Sequence, residues 1–324
     1  MSELNLKSDF TPKALADWHT LVTAGPRGVE LESLNRYTED RIQRGPLLQA
    51  ESVPLKLTRL ARSELPLLGE RDWHMAAPVR HPDTRISNAQ LLEDLTGGAS
   101  AVRFETGART KHPKDLKRLL EGVHTNLVPI QFAPAADNTE SFEAAVKLES
   151  LQAATLWSGL NPIENSELLK ASYGTAPNSW RLMGLSPADT HETGGTAKQE
   201  LAVLAASLAE AMREHRAETV CQHIVIDLAA TQDTHLTIAK FRAARRLIRR
   251  IAEAFGSDGS AIPLCAITSL RMMQSEDAWT NLLRVMSASI GAVIGGADMI
   301  TARPFTDSLG QPHPLPIGSL ATCS

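Results

Sequence analysis

The most constraining feature of this chain is an alternation. Between about residues 86 and 305, apolar runs of helical spacing take turns with short apolar runs of strand length. Helices are read over residues 88–95, 113–121, 141–149, 165–173, 195–215, 236–255 and 276–294, with strands over 100–106, 127–133, 153–157, 179–184, 223–228, 262–267 and 298–304. Gly97-Gly98 and Gly295-Gly296 read as C-caps, and Ser275 as an N-cap. A helix between every two strands implies parallel strands joined by right-handed crossovers. The count and spacing fit an α/β fold of the (β/α)8 TIM-type barrel better than an open doubly wound sheet. An open nucleotide-binding sheet would carry a glycine-rich first turn, and neither GxGxxG nor GxxxxGK[ST] occurs. Seven strands are read, and the Pro-rich stretch after Phe305 offers no eighth. The expectation is a barrel over residues 86–324, incomplete at its C-terminus, with an open edge and marginal stability. Residues 1–85 read as an irregular, partly helical extension, with helical stretches at 12–24 and 31–44, and a subunit contact is expected of them.

The 324 residues are enough for one large core, and 43% apolar with 22% charged residues is ordinary for a globular chain. A net charge of -4 gives no electrostatic reason to expect nucleic acid or a membrane as partner. The longest apolar runs fall well short of the roughly 20 residues a membrane span needs. The first residues lack the apolar core of a signal peptide, so a cytoplasmic location is expected. Cys221, Cys265 and Cys323 are too sparse for a disulfide framework or a zinc cluster. Cys221 and Cys265 fall in strand-like runs and read as buried structural thiols.

Few residues suggest chemistry. Asp189-Thr-His191-Glu-Thr-Gly194 matches DxHxxG, a pattern whose histidine ligates cobalt in base-off cobalamin proteins. Here it stands mid-chain at the entry to a long helix, where acidic groups are favoured anyway, so a loop without cofactor is expected. The ten histidines show no HExxH or paired ligand spacing. His191, His223 and His235 lie nearest to strand ends, where barrel enzymes place chemistry, yet no partner base is evident and structural roles are expected. Helix 236–255 carries Arg242, Arg245, Arg246, Arg249 and Arg250 on one side, with Phe241, Ala244, Ile248, Ile251 and Phe255 on the other. A solvated outer face is the expected reading, with coenzyme phosphates or an acidic subunit as alternatives.

Several stretches together resemble the acyl-CoA mutase family that uses adenosylcobalamin. Ser87-Asn-Ala-Gln-Leu-Leu-Glu-Asp-Leu-Thr-Gly-Gly-Ala resembles the helix and turn before the first strand read. Glu192-Thr-Gly-Gly-Thr-Ala-Lys-Gln-Glu-Leu-Ala resembles E-A-G-A-x-x-x-Q-E-L-A after the fourth. Ile238-Ala-Lys-Phe-Arg-Ala-Ala-Arg-Arg-Leu resembles the I-A-K-x-R-A-A-R-x-L helix after the fifth. Thr268-Ser-Leu-Arg-Met-Met, Asp277-Ala-Trp-Thr-Asn-Leu-Leu-Arg and Gly295-Gly-Ala-Asp resemble T-S-W-R-M, D-P-W-x-N-x-L-R and G-G-A-D. Leu270 replaces the tryptophan and Ala278 the proline. The set covers roughly residues 87–307 and has the form of the small, non-catalytic subunit among the methylmalonyl-CoA mutases of that family.

The departures point the same way. The catalytic chain's Tyr-His pair falls in Gly184–Gly195 here, a longer stretch without tyrosine. Its histidine before T-S-G-W falls near Cys265-Ala-Ile-Thr-Ser, and its G-T-I-Q-N-D segment is replaced by Ala154-Thr-Leu-Trp-Ser-Gly. The family's A-R-x-x-R-N is replaced by Pro312-His-Pro-Leu-Pro, and the chain reads as a fragment that stops before any cobalamin-binding-like domain. The resemblance implies a structural subunit whose partner is the large catalytic subunit of methylmalonyl-CoA mutase, which isomerises methylmalonyl-CoA and succinyl-CoA. Adenosylcobalamin would sit in that partner, and no catalytic, cofactor-binding or metal residue is assigned to this chain. An active cobalamin-dependent acyl-CoA mutase and a truncated non-functional product are the alternatives.

Overall fold

The computed structural model describes residues 11, 13–24, 28–47, 72–135 and 137–310, in two compact units that divide after Thr58. Cys323 and the Pro-rich tail lie outside the described residues. The first unit holds helix α1 (Leu15–Ala24), a 3-10 turn (Leu31–Leu34) and an antiparallel pair, β1 (Arg36–Tyr37) with β2 (Gln43–Arg44). A helix was expected over 31–44, and local turn chemistry overrides it. Thr38 closes the hairpin through its backbone N–H to the Ile42 carbonyl at 3.0 Å, and its hydroxyl accepts the Ile42 N–H at 3.1 Å. Arg41 takes a φ of 59°, which no helix allows.

The second unit is a closed barrel of eight parallel strands. They are β3 (His74–Val79), β4 (Ala101–Phe104), β5 (Ile130–Phe132), β6 (Leu156–Leu160), β7 (Trp180–Leu185), β8 (Ile224–Ala230), β9 (Leu264–Thr268) and β10 (Met299–Thr301). The seven strands read from sequence are all present. The expected gap is not, because β3 pairs with β10 on one side and β4 on the other. The strand lies inside the stretch read as an irregular extension. His-Met-Ala-Ala-Pro-Val has two alanines and a proline, which depress β-propensity, yet all six residues are buried. With no open edge, the instability expected from one loses its basis. The strand count also shifts by one: the Gly184–Gly195 segment follows the barrel's fifth strand.

The helices are α2 (Thr84–Thr96), α3 (Pro113–Leu119), α4 (Thr139–Val146), α5 (Glu149–Gln152), α6 (Ser166–Ser172), α7 (Ala188–Glu192), α8 (Ala197–Glu214), α9 (Ala217–His223), α10 (Thr234–Ala254) and α11 (Ala278–Gly295). Their starts follow capping chemistry. Asp83 accepts the Arg85 and Ile86 N–H groups, Thr196 and Gln199 form a capping box, and Asp233 accepts the Leu236 N–H. Asp277, not Ser275, caps α11, and Gly296 ends it at φ 99°, a conformation that costs a residue with a Cβ. The main core lies between strands and helices, with Leu91, Leu116, Leu156, Leu204 and Phe241 fully buried. Each such side chain contributes about 1.5–3 kcal/mol.

Candidate functional site

Barrel enzymes bring their chemistry to the C-terminal ends of the strands. Here that end is built on charges that the strands carry inward. Arg103 of β4 is 3% exposed and donates from Nη2 to Asp227 Oδ2 of β8 at 2.7 Å. Gln131 of β5 donates to the other Asp227 oxygen at 3.0 Å. Burial works against the Arg103 charge, but the carboxylates of Asp227 and Glu105 outweigh it and hold the guanidinium above its ordinary pKa. Glu105 faces Arg103 at 3.6 Å and Arg303 at 3.5 Å. Arg303 faces Asp307 at 3.8 Å, and Asp307 accepts from Arg80 at 2.8 Å. The series Asp227, Arg103, Glu105, Arg303, Asp307, Arg80 therefore alternates in sign from the barrel interior outward. One layer nearer the N-terminal ends, Ala76, Ala101, Trp157, Val225, Cys265 and Met299 pack the interior. The sequence signal for the buried pair was a lone charge inside an apolar run, in Ala-Val-Arg103-Phe and Ile-Val-Ile-Asp227-Leu.

The DxHxxG segment folds over this mouth. Ala188 of α7 packs on Ala229 and Ile267. His191 Nε2 pairs with the Ser269 hydroxyl at 3.0 Å, and its Nδ1 lies 3.4 Å from Arg271. Arg271 donates to the carbonyls of His191 at 2.8 Å and Gly195 at 3.0 Å, and the Leu270 N–H donates to Glu192 at 3.2 Å. Burial, then the charges of Lys240 and Arg271, depress His191 to about 4, so the imidazole is neutral near pH 7. Adenosylcobalamin ligated through this histidine does not fit. A cobalt ligand needs one ring nitrogen free, whereas one is bound to Ser269 and the other lies against Arg271.

A cleft of about 240 Å³ opens beside α7, lined by Pro134, Asn161, Ser186, Pro187, Asp189 and Ser207. Its floor is tight because a Cβ on Gly184 would stand 2.8 Å from both Gly159 Cα and the Pro134 ring. Burial raises the Asp189 carboxyl above the usual carboxylate range, while a hydrogen bond from Ser186 pulls the other way. The cleft is polar and small. Among the described residues no group of three or more His, Cys, Asp or Glu is placed to hold a metal ion.

The family-like segments each supply a polar tie of the scaffold. Glu200, from Gln-Glu-Leu-Ala, is fully buried and accepts the Ala229 N–H at 2.7 Å and the Lys240 ammonium, from Ile-Ala-Lys. That arrangement pins α8 and α10 to the end of β8. Burial raises the Glu200 carboxyl, against the pull of Lys240. Asp298 accepts the Leu264 N–H at 2.8 Å and pairs with Arg245. Asn281 donates to the carbonyls of Gln274 at 2.8 Å and Phe305 at 3.0 Å.

The remaining candidates are dispersed. His223 ends α9 below β8, on the side away from the mouth, and stacks on Tyr173 at 5.5 Å. His235 is exposed on the first turn of α10. Cys265 is buried inside the barrel and Cys221 is buried on α9, a helix where a strand-like run was read. Burial raises both thiols. Arg245 leaves the basic stripe, turning inward to the carbonyls of Ile262 and Gly296, both at 2.9 Å. No helix among the described residues is long and apolar enough to cross a membrane.

Comparison with known proteins agrees with the residues that recur. The methylmalonyl-CoA mutase family model matches residues 170–315. The methylmalonyl-CoA mutase small subunit of Streptomyces virginiae is 29% identical, over 95% of this chain and 56% of its own length. That of Propionibacterium freudenreichii subsp. shermanii is 29% identical, over 87% of this chain and 49% of its own. A Mycobacterium tuberculosis protein named probable methylmalonyl-CoA mutase small subunit is 32% identical, over 68% of this chain and 40% of its own. The chain thus spans about half the length of the curated relatives it matches. Members of this family depend in general on cobalamin. With its barrel, its ties and these relatives together, the chain belongs to the methylmalonyl-CoA mutase family, and the relatives it resembles are small subunits.

Proposed function

We propose that this chain is a structural subunit that supports a larger catalytic mutase chain and does not itself carry out the rearrangement. The observation that carries the reading is the state of the charges at the barrel mouth. A radical rearrangement of an acyl-CoA needs donors held at the thioester carbonyl and carboxylate as charge develops. Here Arg103, Arg303 and Arg80 each face a carboxylate of their own barrel. His191 is tied to Ser269 and faces Arg271. The arginine charges are thus balanced within the barrel, which works against their use on a developing negative charge, although Arg103 Nη1 keeps no hydrogen-bond partner among the described residues.

The partner in this reading is the large subunit that isomerises methylmalonyl-CoA and succinyl-CoA, with the cobalamin held there and the pair in the cytoplasm. A contact role for the N-terminal unit is supported by α1, which buries none of its residues and exposes Leu15 and Leu21.

The test is to assay the chain with adenosylcobalamin and methylmalonyl-CoA, alone and with the large subunit. Turnover is expected only when the large subunit is present. Turnover by the chain alone overturns the reading, as does a base-off cobalamin spectrum that His191→Ala abolishes.

A further inference from the structure

Helix α11 is apolar on two opposite faces. Toward the core it buries Val285, Ala288 and Ala292. On the opposite side Trp279 (65% exposed), Leu283 (64%), Ile290 (48%) and Ile294 (43%) recur at helical spacing. That stripe is about 22 Å long at 1.5 Å per residue. A barrel helix normally keeps its outer face polar, and a helix apolar on both faces is a buried helix. Trp279 is already held in place, stacked on Phe305 with centroids 5.2 Å apart and planes at 26°. A fixed aromatic costs little entropy to bury and is typical of interface anchors.

Past the C-terminal end of the stripe lies a basic stretch of α10. Gly295 brings α10 close, since a Cβ there would stand 2.8 Å from the Phe241 side chain and 3.3 Å from Ile238. Ile238 thus stands level with the last turn of α11, and Arg242, Arg246 and Arg249 follow it on the same side of α10 at spacings of 4, 8 and 11, about 6 to 17 Å further along. This concentration stands out on a chain whose net charge is -4.

We infer that the outer face of α11, with the adjoining edge of α10, is a docking surface for a protein whose own surface is apolar with acidic residues beside it. The surface rests on the subunit reading only for the identity of the partner, the large mutase subunit. A two-fold that sets the two stripes side by side in the same direction would bring both basic ends together, which disfavours that pairing of a second copy. An anionic bilayer favours basic side chains along both flanks of an apolar stripe. Here the far flank presents the partly buried Leu282, Met286 and Val293 instead.

The experiment measures association of the full-length chain with the large subunit of the same organism, for wild type, Leu283→Asp/Ile290→Asp, Arg242→Glu/Arg246→Glu and, as a control on α8, Val203→Asp. Circular dichroism verifies that each variant is folded. The apolar pair of substitutions is expected to weaken association at least tenfold. The charge reversals should slow association and flatten its salt dependence, and Val203→Asp should change nothing. Wild-type binding is expected to shift the fluorescence that Trp279→Phe removes. Association that survives both double variants overturns the surface and leaves the subunit reading standing. Failure of the wild-type chain to associate overturns both. Self-association, or binding to phosphatidylglycerol vesicles, abolished by Leu283→Asp/Ile290→Asp would reassign the face and overturn the inference.

Discussion

At the barrel mouth, Arg103, Arg303 and Arg80 each lie against a carboxylate of the same chain. On the outer wall, α11 instead turns Leu283 and Ile290 toward solvent. Barrel enzymes usually show the reverse, with reactive groups at the mouth and a polar, unremarkable outer ring. Charges that satisfy one another inside a barrel hold its strands together but are poorly placed to meet a substrate. An apolar stripe outside does nothing for the isolated fold and gains only when another surface covers it. The contrast separates what stabilises this chain from what it offers to others.

The sharpest break of the comparison is Asp227→Leu. It leaves the Arg103 guanidinium buried without its main partner, and a loss of about 3–5 kcal/mol is expected in guanidinium unfolding. Adding Arg103→Met should restore much of that loss, since two apolar groups can fill the space. A single-variant loss below about 1 kcal/mol would mean that the mouth is less dependent on its ion pairs than their burial suggests.

Lys240→Met should cost roughly 3 kcal/mol by the same reasoning, because Glu200 is then buried with only the Ala229 N–H against it. A smaller loss at pH 5 than at pH 7 is expected, since burial already raises the Glu200 carboxyl and protonation relieves the uncompensated charge.

His191 provides a smaller, pH-dependent effect. It is held at about 4 in the fold against an ordinary 6.5, so in the window between those values the unfolded chain binds more protons. Stability should therefore fall as pH drops from about 6.5 toward 4, and be fully present above 6.5. His191→Gln should lose less melting temperature between pH 7 and pH 5 than wild type does. Equal losses would show that the ring is not the group responsible.

Smallest of all should be Ile290→Ser on the outer stripe, within about 0.5 kcal/mol of wild type in the same unfolding assay. A loss near that of Asp227→Leu would erase the distinction between the two regions.

Much of the barrel was legible because parallel strands buried on both faces announce themselves as apolar runs, and helices as periodic stripes with caps. The C-cap at Gly296 acts on neighbours in sequence, so local pattern suffices for it. The first strand was not legible, since His-Met-Ala-Ala-Pro-Val has the composition of a loop until β10 and β4 pair with it. The Arg36–Arg44 hairpin was missed because helical spacing and a Thr-centred turn compete over so few residues. The site was less legible than the fold. Arg103 and Asp227 are 124 residues apart, and nothing between them marks the pair.

By itself the sequence determined the alternation, the C-terminal glycine caps and the family-like segments, all set by interactions within a turn or two of chain. Tertiary structure alone decided which segment closes the barrel, that the DxHxxG histidine is engaged by Ser269, and that α11 stays apolar toward solvent. The reason is physical. Burial and electrostatic pairing depend on distance in space, and a barrel that joins its first strand to its last sets those distances only once it has closed.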